Sequence, residues 1–293
     1  MNPILLAVLA SFFWGVGTVM QKHGMATSFP QISLAGFIRQ VGSILLTLVR
    51  NWLWVLGLLF MIGGMVSYAT ALGAADLSIV QPIICLTGVV AAVIGVTFLK
   101  EKVRPVEWLG IALILGGVVI VSVGATGETA RIPGNGPLLA FTAVSVVLIA
   151  ASFMLKRLNV SVEMTLSLAA GLNFGLANLM GKLLTQRVIL DVDGPFSFAR
   201  PEVWWSLITD YPVFVIIATN IVGGAALQTA FANGRASVVS PVVTIISTIL
   251  PILAALTIFG ENVRVAHAVG IGVVIFGTTL LALRGEEPAP ATA

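Results

Sequence analysis

Residues Ser78–Val121 read SIVQPIICLTGVVAAVIGVTFLKEKVRPVEWLGIALILGGVVIV, and Ser237–Leu281 read SVVSPVVTIISTILPILAALTIFGENVRVAHAVGIGVVIFGTTLL. The second stretch repeats the first. Ser78, Val80 and Pro82 align with Ser237, Val239 and Pro241, and Glu101, Val103, Arg104, Gly110 and Gly117 align with Glu261, Val263, Arg264, Gly270 and Gly277 after a one-residue shift. Each copy reads as two apolar helices joined by a short charged hairpin.

Working outward, Pro3 and Gly17–Lys22 (GTVMQK) match Pro137 and Ala151–Lys156 (ASFMLK), and Ser33-Leu34-Ala35 matches Ser167-Leu168-Ala169. The chain therefore reads as a five-helix unit repeated once. An odd number of crossings makes the second unit enter from the opposite side. That is an inverted repeat, an arrangement of secondary transporters.

Composition excludes most other classes. Of 293 residues, 58% are hydrophobic and only 9% charged, where a soluble domain carries roughly a quarter charged residues. Such a chain cannot cover a water-facing surface, and its apolar runs are long enough to cross a bilayer. The net charge of +3 is spread over loops and forms no nucleic-acid stripe. A single cysteine, Cys85, excludes an intramolecular disulfide. The N-terminal run has no basic leader segment and reads as a first membrane helix.

The expected fold is an all-α membrane protein of ten transmembrane helices, near residues 3–23, 31–49, 52–74, 78–99, 105–123, 136–156, 162–185, 210–232, 237–259 and 265–284. The first five-helix repeat takes 1–123, a Gly-rich linker 124–135, the second repeat 136–284, and a polar, disordered cytoplasmic tail 285–293. The segment from Gln186 to Tyr211 reads as an aqueous loop ending in an interfacial anchor, Trp204-Trp205. Arg50, Lys100, Lys102, Arg104, Lys156, Arg157, Arg235 and Arg284 fall on one side, and only Lys22, Arg131, Arg187, Arg200 and Arg264 on the other. This bias places both termini in the cytoplasm, in the cell's inner or plasma membrane.

Polar groups cost free energy in hydrocarbon, so those that persist face a cavity or a partner. Arg39 lies deep in the second span with Gly36 and Ser43 on its face. It reads either as a substrate or gating contact or as a tie to neighbouring carbonyls. Gln81, Cys85, Gly88 and Ala92 follow helical spacing on the fourth span, and their repeat partners Ser240, Thr244, Ser247 and Pro251 do so on the ninth. Two inversion-related helices thus show small or polar faces at matching heights, as expected around a midplane solute site. Close helix packing is the competing explanation, most of all for Cys85 and Gly88. Pro251, mid-span and without a counterpart in the first half, is the expected hinge. Gly171, Gly175, Asn178 and Lys182 share a face of the seventh span. There the glycines suit packing, and Lys182 is close enough to the end to snorkel. Trp14, Thr18 and Gln21 on the first span, Tyr68 on the third, and Asn220 and Gln228 on the eighth are further candidates for the lining. Each is equally well explained as an interhelical hydrogen bond. Pro82 and Pro241 suit the first turn of their helices.

The chain has no P-loop, no H-E-x-x-H and no Ser–His–Asp set at one depth. No enzyme activity, cofactor or bound metal is expected. Nor is there a deep carboxylate: Asp76 and Asp210 fall at span boundaries, and Glu101 and Glu261 in hairpins.

The pattern A-x-x-S-x-V-x-P, an apolar run, E-[KN]-V-R and a helix with spaced glycines resembles the drug/metabolite transporter superfamily, EamA-like branch. Trp14-Gly15 with Lys22 fits the same superfamily. The resemblance runs through both halves and implies two inverted five-helix units around a central cavity. Met20–Gly24 (MQKHG) and the Pro82 segment after Ala74-Ala75-Asp76-Leu77 are similar to NIPA-type magnesium transporters, which would imply divalent cation transport.

The function expected is therefore alternating-access transport of a small polar, anionic or zwitterionic metabolite. Arg39 would be the anion clamp or gate, Gln81, Ser240, Thr244 and Ser247 the hydrogen-bonding lining, and Trp14 and Tyr68 the aromatic surface. The alternatives are a NIPA-like Mg2+ transporter, a lipid-linked metabolite flippase, and a non-transporting scaffold packed dry. Expected partners are a small-molecule or ion substrate and membrane lipids, with no nucleic acid, in a monomer or homodimer.

Overall fold

The computed structural model describes residues 2–26, 50–99, 105–123, 132–154, 161–192, 199–233, 236–261 and 264–282. The second expected span, the Lys100–Arg104 hairpin, most of the linker and the tail lie outside the described residues. All regular structure among those described is helical: α1 Pro3–Ala26, α2 Trp52–Ala74, α3 Leu77–Ile84, α4 Leu86–Leu99, α5 Pro105–Val123, α6 Asn135–Met154, α7 Val162–Val192, α8 Pro201–Thr209, α9 Tyr211–Asn233, α10 Ala236–Thr257 and α11 Val265–Ala282.

Local chemistry sets several starts. Asn2 Oδ1 accepts from the Ile4 amide (2.9 Å), Asn51 Oδ1 from the Trp54 amide (3.1 Å), and Ser161 Oγ from the Met164 amide (3.3 Å). Each fills one of the amides a helix N-terminus leaves open. Pro201 opens α8, where its missing N–H costs nothing.

Among the described residues four helices are long and apolar enough to cross a membrane, or five if α8 and α9, bent by 68°, form one span. Trp108–Ser122, Val242–Thr257 and Val265–Leu280 are shorter apolar helices. The outer faces are greasy. Leu139, Val144 and Val147 on α6 and Ile217 and Ile221 on α9 are more than half exposed. Exposed apolar surface on this scale needs hydrocarbon against it.

Three elements depart from the sequence expectation. The fourth span is two helices, α3 and α4, broken at Cys85. Pro82 stands inside α3 rather than in its first turn. It has no N–H to give, and the chain tightens after it: the Cys85 amide reaches Pro82 O (3.2 Å) and the Gly88 amide reaches Cys85 O (3.1 Å). Ser11 Oγ takes up the Ile83 carbonyl at the break (3.0 Å). The seventh span continues to Val192, because Val188 is buried against Val203 of α8 in a cluster with Leu184. The Gln186–Tyr211 segment accordingly holds the end of α7 and all of α8, with Trp204 and Trp205 exposed on the latter.

α1 packs on α2, α3 and α4, and α7 packs on α6, α9 and α10. These two groups of helices meet along α3–α10 and α2–α7, and α5 packs on α11. The α5–α11 contact is the tightest. A Cβ on Gly117 would stand 2.9 Å from Gly270 O, one on Gly270 3.0 Å from the Val121 amide, and one on Gly277 2.8 Å from Gly110 O. Only glycine lets these backbones approach so closely. The expected G-x-x-x-G packing on α7 is also present, since Gly171 and Gly175 lie under Ile246 and Leu250 of α10.

Gly277→Ala should destabilise the protein by about 1–3 kcal/mol, because the new methyl meets backbone. Gly272→Ala, on the same helix with open space around it, should be neutral or slightly stabilising. Thermal unfolding of the two variants in one detergent checks the contrast.

Candidate functional site

The polar residues of the two repeats meet at the α2–α3–α10 seam. Tyr68 on α2 is buried, and its ring lies 5.1 Å from that of Trp14. Its hydroxyl donates to Gln81 Oε1 on α3 (3.1 Å). Gln81 Nε2 donates to Ser247 O on α10 (3.4 Å). Ser247 Oγ donates to Thr244 O one turn back (3.1 Å). Cys85 Sγ lies 3.8 Å from Thr248 Oγ1. Trp14 is half-buried over Gly64, and its Nε1 donates to Met61 O (3.1 Å). The chain Trp14, Tyr68, Gln81, Ser247 thus crosses from the first repeat to the second through the faces the sequence pairs. Helical spacing supplies it, since Gln81 and Cys85 lie one turn apart on one face.

A second cluster closes one end of this seam. α2 stops at Ala74 and α3 begins at Leu77, leaving a helix C-terminus and a helix N-terminus side by side. Lys182 on α7, only 1% exposed, donates from Nζ to Leu72 O (2.7 Å) and to Ala75 O. Glu261, after α10, accepts from the Leu77 amide at Oε1 and the Ser78 amide at Oε2, both 2.8 Å. A cation meets the negative end of α2 and an anion the positive end of α3. Asp76, in the two-residue junction between α2 and α3, is buried as well. Lys182 therefore does not snorkel: the α2 carbonyls need a donor, and it turns inward to supply one. Gly260, with φ +67°, turns the chain out of α10 so that Glu261 faces α3. Glu101, the repeat counterpart of Glu261, lies outside the described residues.

The other candidates separate clearly. Thr244 is half-buried beside the seam, and Asn178 is half-buried on the Gly171–Lys182 face of α7. Thr18 and Asn220 are exposed and bond their own helices, at Trp14 O (2.7 Å) and Ile216 O (2.8 Å). They do not join the seam, because each faces outward. Asn173, the partner of Arg39, is buried and donates to Ala169 O of its own helix (2.8 Å). Arg39 lies outside the described residues, as do the side chains of Gln21, Gln228 and Ser240. α10 runs unbroken through Pro251, which is buried. A surface cleft of about 530 Å³ lies elsewhere, lined by Asp191, Glu202, Trp205, Ser206 and their neighbours on α8.

The model of the EamA-like transporter family matches residues 1–123. A Pseudomonas savastanoi pv. phaseolicola protein named "Probable 4-amino-4-deoxy-L-arabinose-phosphoundecaprenol flippase subunit ArnE" is 30% identical over 118 residues, covering 39% of this chain and 91% of that protein. The chain belongs to the EamA-like transporter family. With its apolar helices it is an integral membrane protein and a membrane transporter. Other relatives of this EamA-like protein span more of it. The Arabidopsis thaliana protein "Probable magnesium transporter NIPA6" is 25% identical over 313 residues, covering 97% of this chain and 88% of the relative. Human "Magnesium transporter NIPA3" is 31% identical over 121 residues, 40% of this chain and 28% of that protein. No solved structure matches the chain.

The Tyr68–Gln81 bond is buried, so Tyr68→Phe and Gln81→Leu should each destabilise this EamA-like transporter by about 1 kcal/mol or more. The double variant should cost less than the sum of the two, because both remove one interaction. A thermal or denaturant double-mutant cycle measures the coupling.

Proposed function

We propose that this EamA-like protein is a secondary transporter of a divalent cation of the Mg2+ type, working by alternating access between two inverted five-helix halves. The observation that carries this reading is the extent of the similarity: relatives named as magnesium transporters align over 97% of the chain, through both repeats. The halves are residues 1–123 and 136–284, with both termini cytoplasmic. Repeat-related helices α3 and α10 meet at Gln81 and Ser247, and the solute of an inverted repeat lies at the interface of such helices.

The chemistry suits a hydrated ion. Mg2+ gives up its waters reluctantly and is commonly held through them. Tyr68, Gln81, Thr244 and Ser247 offer neutral hydroxyl, amide and carbonyl groups that bond to water. Among the described residues no group of three His, Cys, Asp or Glu could hold a bare metal ion. The organic anion expected from Arg39 is the second reading, and the similarity to a flippase subunit for a phosphate-linked sugar is what favours it.

The test is uptake by proteoliposomes carrying a trapped Mg2+-sensitive dye. Protein-dependent Mg2+ entry should appear, with turnover lowered at least about tenfold in folded Gln81→Ala, a loss expected when a lining contact goes. Absence of Mg2+ entry, with counterflow of an organic anion that Arg39→Ala abolishes, would overturn the cation reading.

A further inference from the structure

We infer that Glu261 and Lys182 form a latch that shuts the transport pathway at the α2–α3 end and opens in every cycle. The inference rests on the transport reading above. Both charges belong to the second half, and both grip backbone of the first half, at Leu72, Ala75, Leu77 and Ser78. The latch therefore crosses the boundary along which two halves must part. It also lies directly over the seam. Ser78, held by Glu261, and Gln81, held by Ser247, are three residues apart on one face of α3, or about 5 Å along the axis. Parting at the latch uncovers Gln81 next.

The bond type suits repeated opening. The α5–α11 contact joins backbones that no side-chain rotation can separate. The latch joins charged side chains to helix ends, and every one of its groups is readily hydrated when a water-filled mouth forms. Charge-assisted bonds hold it firmly while closed. Gly260 sets the aim: its φ of +67° is a conformation other residues rarely adopt, and open space surrounds it. A change there reaches Glu261 through the backbone alone. In the orientation with both termini cytoplasmic, the latch is on the outer side.

The test uses the lone cysteine. On a Cys85→Ser background, Ser78→Cys places a thiol beneath the latch. Its labelling by a membrane-impermeant maleimide is followed in proteoliposomes, alongside Mg2+ uptake and thermal stability. With Glu261→Ala the labelling rate should rise about tenfold or more, the population shift expected when charge-assisted bonds are lost from one of two states. Uptake should fall by a similar factor. Glu261→Gln should lie between. Gly260→Ala, which leaves the carboxylate in place, should shift labelling the same way, and it carries the comparison if Glu261→Ala does not fold. Unchanged labelling and unchanged turnover per folded molecule, with only a lower thermal midpoint, would make Glu261 a static brace and overturn the latch. Faster labelling in a protein that moves no Mg2+ would keep the latch and remove the cation.

Discussion

A helix that ends inside a protein leaves carbonyls unpaired, and a helix that begins there leaves amides unpaired. Between Ala74 and Leu77 this chain does both within two residues, in the buried interior. In hydrocarbon such groups cost several kcal/mol each unless satisfied. Here the second half satisfies them, with Lys182 at the carbonyls and Glu261 at the amides. Neither charge would be tolerable alone, since an unpaired buried ion is strongly destabilising. Each is tolerated because the opposite end of a helix dipole faces it. The α2–α3 junction is not finished by its own neighbours in sequence; while it is closed, side chains from α7 and from the end of α10 complete it.

The same requirement runs deeper into the bundle. The break at Cys85 leaves the Ile83 carbonyl to Ser11, and the buried Gln81 amide finds Tyr68 on one side and Ser247 on the other. Irregular backbone at membrane depth persists only where protein or water completes its hydrogen bonds. The seam and the latch are two instances of that rule on successive turns of α3.

Much of this was legible in the sequence. The repeat placed Gln81 opposite the Ser240–Ser247 face, and α3 does meet α10 there. The Gly171–Gly175 spacing announced packing, and the structure shows it. What stayed hidden had physical causes. Lys182 looked like a snorkelling residue because its helix appeared to end at residue 185. The helix runs seven residues further, so the lysine is not at its end. Glu261 looked like hairpin polarity because a local reading cannot see that α3 begins beside it. The pairing of α10's exit with α3's entry is a tertiary fact. Thr18 shares the first span with Trp14 and Gln21, and Asn220 a face of its helix with Gln228, but each faces outward and bonds its own preceding turn, as Thr and Asn side chains readily do. A sign was nevertheless available for Lys182: it shares a face with Gly171, Gly175 and Asn178, and a face that small points inward.

The glycine contact between α5 and α11 constrains any large movement in this molecule. Side chains that interdigitate can change rotamer and let helices slip. Backbones in van der Waals contact through Gly117, Gly270 and Gly277 have nothing to rearrange. On the transport reading proposed above, this line is where the two parts of the molecule would move least against each other. Hydrogen bonds far from it would be stretched furthest and those close to it least, so the positions of the glycines would set the shape of an opened protein.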